Sequence, residues 1–242
     1  MPALYDRIGD GYAGLRRADP RIAARLDAAL GPSASLLNVG AGTGNYEPEN
    51  RQVVAVEPSR EMIRQRPAGA APAVQAVAAC LPFADGAFEA ALAVLTVHHW
   101  PDPAAGLCEL RRVTRGRIVI LTFDPRARPW LTDYLPELAA LDDAQMPALT
   151  DYAAALGRVH VEPLEIPHDC MDGFLYAYWR RPEAYFDPRL RSGSSSFRAL
   201  AGPHAGLERL RSDLDSGAWD RRYARLRHLD AYDAGYRLVI SG

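Results

Sequence analysis

The sequence of 242 residues predicts an α/β fold with a mostly parallel sheet and a ligand site at the carboxyl ends of its strands. An apolar run over 35–39 leads into a loop with glycine at every second position, Gly40-Ala41-Gly42-Thr43-Gly44. A second apolar run over 53–56 ends in Glu57, and a third over 91–97 ends in two histidines. Short apolar runs of this length, separated by turns and helical patterns, are typical of buried parallel strands.

The glycine loop and Glu57 together indicate a nucleoside site. Glycine permits positive φ and has no Cβ, so a ligand can lie against the backbone. An acid at the tip of the next strand is placed to bind the two ribose hydroxyls, while the loop holds the group on the 5′ carbon. The spacing is G-x-G-x-G, whereas dinucleotide folds favour G-x-G-x-x-G. The sequence therefore predicts a nucleoside ligand rather than the dinucleotide NAD. A nicotinamide oxidoreductase is a disfavoured alternative.

Further motifs downstream resemble those of the class I S-adenosylmethionine-dependent methyltransferases. Residues 54–63 are similar to the acidic second motif of that family, and 81–90 to its LPFxDxxFD stretch. Over residues 33–124, motif order and intervals match the ubiquinone/menaquinone-biosynthesis-like branch. The resemblance implies a Rossmann-like, seven-stranded mixed sheet, S-adenosyl-L-methionine as cofactor, and in-line methyl transfer to oxygen, nitrogen or carbon of a small organic molecule. A non-methylating enzyme that consumes the cofactor by cyclisation or elimination, and a non-catalytic cofactor-binding partner, stay open as alternatives.

The resemblance also predicts the cofactor-binding residues. The methionine part is expected along Asn38, Gly40, Ala41, Gly42 and Gly44. The ribose is expected at Glu57 and Pro58. Adenine is expected between Met62 and Leu81, bound by the main chain near Ala78 and Ala79, and Thr96 should border the reaction centre. The chain departs from the family in two places: residues 45–52 are too few for a full crossover helix, and Val77 stands where an acid often reaches the adenine amino group.

Histidines are the candidate general bases, because a pKa near 6.5 suits proton transfer at neutral pH. His98 and His99 follow the fourth strand, and at most one of two adjacent side chains is expected to face the acceptor. His168 lies beside Asp169, which is placed to orient its ring. The alternative for each is structural, with the ring bonding the main chain to shape a loop. No metal site is predicted, because adjacent ligands give poor geometry and no second cluster supports them.

Four segments are predicted along the chain. Residues 1–32 form an N-terminal lid whose helix runs from Pro20 to Leu30, with Tyr12 and Arg16 reaching the methionine carboxylate; a surface arm is the alternative. Residues 33–166 form the cofactor-binding core. Residues 167–229 are rich in aromatics and predict a helical cap over the substrate, or a homodimer surface, and both uses are compatible. Residues 230–242 supply the last, antiparallel strand of the core.

Composition excludes several function classes. The net charge is −2, which gives no general attraction to nucleic acid or an anionic membrane. All 28 basic residues are arginine, so Schiff-base chemistry and a Walker A phosphate loop are excluded. Three scattered cysteines indicate neither disulfides nor a zinc ribbon. Without an apolar leader or membrane span, we expect a cytoplasmic, bacterial enzyme of secondary metabolism acting on a small molecule.

Overall fold

The computed structural model describes residues 14, 16–200 and 205–242. Seven strands form one sheet in the order β3-β2-β1-β4-β5-β9-β6. The strands β1 to β5 pair in parallel, whereas β9 pairs antiparallel with both β5 and β6. The strands are β1 Ser35–Val39, β2 Gln52–Val56, β3 Ala73–Val74, β4 Phe88–Val94, β5 Thr114–Phe123, β6 Val159–Pro163 and β9 Tyr236–Ser241. The predicted seven-stranded mixed sheet with an antiparallel last strand is confirmed.

Helices cover both faces of this sheet because its central strands are apolar on both sides. Along β4, Ala90 and Leu92 point into one core, while Ala91 and Ala93 point into the other. The first core includes helix α1, Pro20–Leu30, whose Ile22, Leu26 and Leu30 are buried as its spacing predicts. The second core includes α3, Pro103–Val113, and α5, Leu149–Leu156.

The connection from β1 to β2 has no helix. Residues 45–51 form turns, which agrees with the shortness of this segment. The next connection contains the short helix α2, Arg60–Arg64, whose first turn is capped by Ser59. The N-cap of helix α5 is Ala148, whose N–H donates to the Asp151 carboxylate at 3.0 Å.

The chain after β6 is largely helical and aromatic. A two-stranded ribbon joins β7, Ile166–Pro167, to β8, Ala231–Tyr232. The described helices after β6 are α6 Pro188–Ser192, α7 Ser195–Ala199, α8 Ala205–Asp215 and α9 Ala218–Arg222, and α4, Pro136–Gln145, precedes β6. Trp130 joins this region to the core, because its indole N–H donates to the carbonyl of Trp179 at 2.8 Å. None of the helices described is long and apolar enough to cross a bilayer.

Candidate active site

A cleft of about 910 Å³, measured to its open mouth, lies at the carboxyl ends of β1, β2 and β4. Most of the residues predicted to hold a nucleoside line it. They are Asn38, Gly40, Ala41, Gly42, Glu57, Pro58, Met62, Ala78 and Thr96. The fold brings them together because these three strands are neighbours and end at the same edge of the sheet.

The glycine loop requires its glycines. Gly40 has φ +71°, and a Cβ at that position would lie 2.0 Å from Oγ1 of Thr96. Gly42 has φ +53°, and a Cβ there would lie 3.3 Å from Cε of Met62. The backbone of this loop therefore passes closer to β4 and α2 than a side chain would allow, and it leaves an open concave surface for a ligand.

Glu57 is oriented at the tip of β2 by main-chain groups. Its side chain is 5 % exposed. Its Oε2 accepts from the N–H of Gly42 at 2.9 Å, and its Oε1 accepts from the N–H of Ser59 at 2.9 Å. A carboxylate can accept several hydrogen bonds, and Glu57 lines the cleft with this oriented group.

Beneath the loop lies a buried polar cluster that the sequence did not reveal. Asn38 donates to Oε1 of Glu47 at 3.1 Å, and Arg66 pairs with Oε2 of Glu47 at 2.7 Å. Arg66 also donates to the carbonyl of Gly42 at 3.2 Å. The side chains of Glu47 and Arg66 are 8 % and 6 % exposed. This ion pair anchors the glycine loop where the crossover helix of a longer connection would otherwise pack.

Three predicted cofactor residues do not line the cleft, and a fourth, Tyr12, lies outside the described residues. Gly44 faces away from the cleft, since a Cβ there would approach Glu47 and Arg66. Ala79 is exposed beyond the rim, and Leu81 is buried in the second core against α3, so neither lines the cleft.

The cleft is also lined by two apolar residues that were not predicted to bind the cofactor, Val77 and Trp100. Val77 lines it with a side chain that is 47 % exposed, an unusual exposure for a large apolar group. Trp100 lies beside it, packed on Gly106 so closely that a Cβ there would lie 2.4 Å from the indole. An apolar surface of this kind suits a flat purine ring.

His98 and His99 lie at the inner end of the cleft, in the short 3₁₀ helix Val97–His99. Their ring centroids are 3.9 Å apart. His99 borders both the cleft and a second cavity, and His98 borders the second cavity. The expectation that only one of the two rings faces the acceptor side therefore differs from the structure, because the tight turn directs both rings to the same side.

Both histidines are poor bases in this setting. Burial and, to a smaller extent, the nearby charge of Arg16 lower the pKa of His99 to about 4. Burial also lowers the pKa of His98 well below its usual value, with smaller contributions from His99 and Arg16. The rings are therefore neutral at pH 7, and each can accept a hydrogen bond while having little tendency to remove a proton.

His168 is remote from both cavities. Its Nδ1 lies 3.2 Å from the carbonyl of Asp230, and its main chain pairs with the same residue in the β7–β8 ribbon. Asp169 does not orient the ring, because its carboxylate pairs with Arg21 at 2.7 Å. The prediction of a catalytic role for His168 is not supported, since the structural alternative accounts for its position.

Arg16 lies between the two cavities and lines both. It pairs with the fully buried Asp172 through two bonds, of 2.5 Å from Nε and 3.1 Å from Nη2. The hydroxyl of Tyr46 donates to the same carboxylate at 2.9 Å. Sequence reasoning identified Arg16 but missed Asp172 and Tyr46, which fix its position over the glycine loop.

The second cavity, of about 470 Å³ measured to its open mouth, is lined in part by the aromatic rings of Phe123, Phe174, Tyr176 and Tyr236. It adjoins the cleft, and Arg16, Leu95 and His99 line both. Its other walls come from α4 and from the segments around 174–176 and 193–196. The glycine loop and the aromatic rings therefore lie in adjoining cavities.

Known proteins share these features. A methyltransferase domain family matches residues 37–120. The crystal structure of a candidate methyltransferase from an antibiotic biosynthesis pathway of Anabaena variabilis ATCC 29413 is 33% identical to this chain, with a TM-score of 0.86. That similarity covers 94% of this chain and 99% of the other.

Two further relatives are more distant. Demethylmenaquinone methyltransferase of Mycolicibacterium vanbaalenii is 37% identical over 109 residues, which are 43% of this chain, so the chain matches about half (48%) of that curated relative's length. Geranyl diphosphate C-methyltransferase of Streptomyces coelicolor A3(2), solved with S-adenosyl-L-homocysteine, is 17% identical with a TM-score of 0.51, over 91% of this chain and 78% of that one. The second likeness is one of fold alone.

Proposed function

The chain belongs to the class I S-adenosylmethionine-dependent methyltransferases, and we propose that it transfers a methyl group from that cofactor to a small organic molecule. The observation that supports this most strongly is that the two cavities adjoin. A glycine loop and a buried carboxylate at one end adjoin an aromatic cavity at the other, with Arg16 and His99 at the junction.

The residues of the cleft fit S-adenosyl-L-methionine. Glu57 would hold the ribose, since its carboxylate is already oriented by two N–H groups. Gly40 and Gly42 would leave room for the methionine part, since a Cβ on either would reach Thr96 or Met62. When bound, the cofactor supplies a methyl group on a positively charged sulfur, which is a good electrophile. The protein contributes mainly position and exclusion of water, and positioning alone can supply much of the rate.

Proton removal at the acceptor is a smaller contribution. The low pKa of His99 leaves its ring neutral and able to accept a hydrogen bond from an acceptor hydroxyl or amine. We propose this role for His99, and for His98 as its neighbour in the aromatic cavity. An acceptor that carries its own electron-rich oxygen, nitrogen or carbon would need no stronger base.

Further proposals concern the class of acceptor, the location of the protein and the roles of the segments outside the core. We propose a small-molecule acceptor rather than a nucleic acid, because the net charge of −2 provides no basic surface. We propose a cytoplasmic location, a cap function for the aromatic segment 167–229, and a lid function for the residues before α1. A homodimer formed through the aromatic segment is compatible with that cap.

Product analysis and a crystal soak test this function. The purified chain, incubated with S-adenosyl-L-methionine and a small-molecule extract, is expected to release S-adenosyl-L-homocysteine. Release of methylthioadenosine would instead favour the non-methylating alternative. Crystals soaked with S-adenosyl-L-homocysteine are expected to show its ribose at Glu57 and its sulfur directed toward His99. A ligand bound elsewhere, or an empty cleft at saturating concentration, would overturn the proposal.

A further inference from the structure

Four aromatic rings line part of the second cavity and contact one another. Phe123 of β5 lies 5.4 Å from Tyr236 of β9, measured between ring centroids. Phe174 lies 4.7 Å from Tyr236, and Tyr176 lies 5.0 Å from Phe123. Aromatic surfaces of this kind favour stacked or edge-to-face contact with another ring.

Polar residues also line this cavity, among them Arg16, His98, His99, Ser194, Ser195 and Ser196, and one of them is a buried carboxylate. Asp142, on helix α4, lines it and is 1 % exposed. Its Oδ2 accepts a hydrogen bond from the hydroxyl of Tyr176 at 2.6 Å. Its Oδ1 is buried and has no hydrogen-bond partner among the residues that the structure describes. A buried carboxylate oxygen without a donor is costly, so proteins keep one mainly where a ligand or water supplies the donor.

We propose that Oδ1 of Asp142 accepts a hydrogen bond from an O–H or N–H group on a ring-bearing acceptor that packs among the aromatic side chains of the second cavity. The inference deepens the proposed function and rests on it, because the cavity is an acceptor site only if the adjoining cleft binds the cofactor. Small-molecule sites typically combine apolar and aromatic walls with a few polar groups that set the orientation of the ligand.

The ionisation of Asp142 agrees with this role. Burial raises the pKa of Asp142 to about 6, against the opposing hydrogen bond from Tyr176 and the charge of Arg128. At about pH 8 the carboxyl is therefore ionised and can only accept hydrogen bonds. A ligand without a donor would leave Oδ1 desolvated and unpaired, and a site of this kind rejects such ligands strongly.

Three matched probes test the inference on the wild-type chain. Naphthol, naphthylamine and methoxynaphthalene, substituted at the same ring position, are titrated at about pH 8 into protein saturated with S-adenosyl-L-homocysteine. At least one of the two donor-bearing probes is expected to bind roughly tenfold more tightly than the methyl ether, since a hydrogen bond to a charged group has about that strength. Equal affinities for all three, or no binding of any, would overturn the inference.

Variants of two adjacent residues test whether the preference for donor-bearing probes depends on Asp142. Asp142→Ala is expected to abolish the roughly tenfold preference for the donor-bearing probe. Asp143→Ala removes an equal charge from the same helix, outside the cavity, where the carboxylate pairs with Arg128 at 2.7 Å, and should keep the preference. A preference that survives in Asp142→Ala would overturn the inference.

Binding of S-adenosyl-L-homocysteine and binding of the probes are measured separately, so that failure of the proposed function can be distinguished from failure of this inference. Failure of the wild type to bind S-adenosyl-L-homocysteine would count against the proposed function itself, whereas normal binding without a probe preference counts against this inference alone. If Asp142→Ala does not fold, a wild-type crystal structure with naphthol decides. A naphthol hydroxyl within hydrogen-bond distance of Asp142 supports the inference, and a hydroxyl directed elsewhere overturns it.

Discussion

Gly40 and Thr96 show how tightly the glycine loop is packed on β4. Gly40→Ala would place a methyl group 2.0 Å from Oγ1 of Thr96 and force a side chain into the left-handed region at φ +71°. Backbone strain alone costs roughly 1–2 kcal/mol, and the steric overlap adds to it. We expect a fall in the free energy of unfolding of at least about 3 kcal/mol, with loss of cofactor binding, measured by urea unfolding and calorimetry.

Gly69→Ala is the matched control for this prediction. Gly69 also has a positive φ, of +89°, but a Cβ there would meet no atom within 4 Å. Its loss of stability should therefore be limited to roughly 1–2 kcal/mol of backbone strain, with cofactor affinity unchanged. Similar losses in both variants would show that the contact with Thr96 is unimportant.

At the scale of elements, a buried ion pair connects the residues before α1 to the aromatic segment 167–229. Arg16 precedes α1, and Asp172 follows β7, 156 positions later. Asp172→Ala would remove a carboxylate that accepts hydrogen bonds from the largely buried guanidinium of Arg16 and from the hydroxyl of Tyr46. We expect the free energy of unfolding to fall by about 3 kcal/mol, because a buried ion pair is broken.

Asp169→Ala provides the comparison for Asp172→Ala. Asp169 also pairs with an arginine before the core, Arg21, but both side chains are more than half exposed. Exposed pairs contribute less than about 1 kcal/mol, so this variant should unfold almost like the wild type. Equal losses in the two variants, measured by urea unfolding, would contradict the role given to the buried pair.

Elements formed by local patterns were predictable, and long-range pairs were not. The strands around Asn38, Glu57 and Thr96 follow from apolar runs, and the turn over 45–51 follows from a segment too short for a helix. Glu47 meets Arg66 only because the loop folds back on the chain before β3. Asp142 meets Tyr176 across 34 positions. These contacts join residues that are distant in the sequence, and no periodic pattern predicts them. Those parts of the site therefore could not be predicted from the sequence.

Local patterns also failed where a candidate's surroundings decide its role. His168 has a suitable side chain and an acidic neighbour, yet the β7–β8 ribbon holds it away from the cleft. Leu81 lies in a recognisable motif, but its side chain packs in the second core and does not line the cleft. In both cases the path of the chain between strands decides where the side chain points, and local sequence patterns do not predict that path.

For the whole molecule, burial of the histidine pair makes stability depend on pH. The folded pKa of His99 is about 4, below the ordinary value of 6.5, so protonation favours the unfolded chain. This contribution to stability is present above about pH 6.5 and is lost as pH falls toward about 4. Asp142 acts in the opposite sense: its pKa is raised to about 6, so its contribution is lost as pH rises through that value.

A variant separates these opposing effects. Over the range from about pH 6.5 to about 4, the wild type should lose more stability than His99→Gln, which has no ring to protonate. The exposed His160 on β6 supplies the control, because His160→Gln keeps both buried rings and should follow the wild type. Parallel pH profiles of Tm for the wild type and His99→Gln would contradict this account.

The central claim concerns the ribose of the cofactor and the carboxylate at the tip of β2. Calorimetric titration with S-adenosyl-L-homocysteine tests it in the wild type, in Glu57→Ala and in Glu61→Ala, a control on α2 outside the cleft. The account predicts that Glu57→Ala, still folded, binds more weakly by about 1.5–3 kcal/mol, while Glu61→Ala binds like the wild type. Wild-type affinity in Glu57→Ala would contradict it.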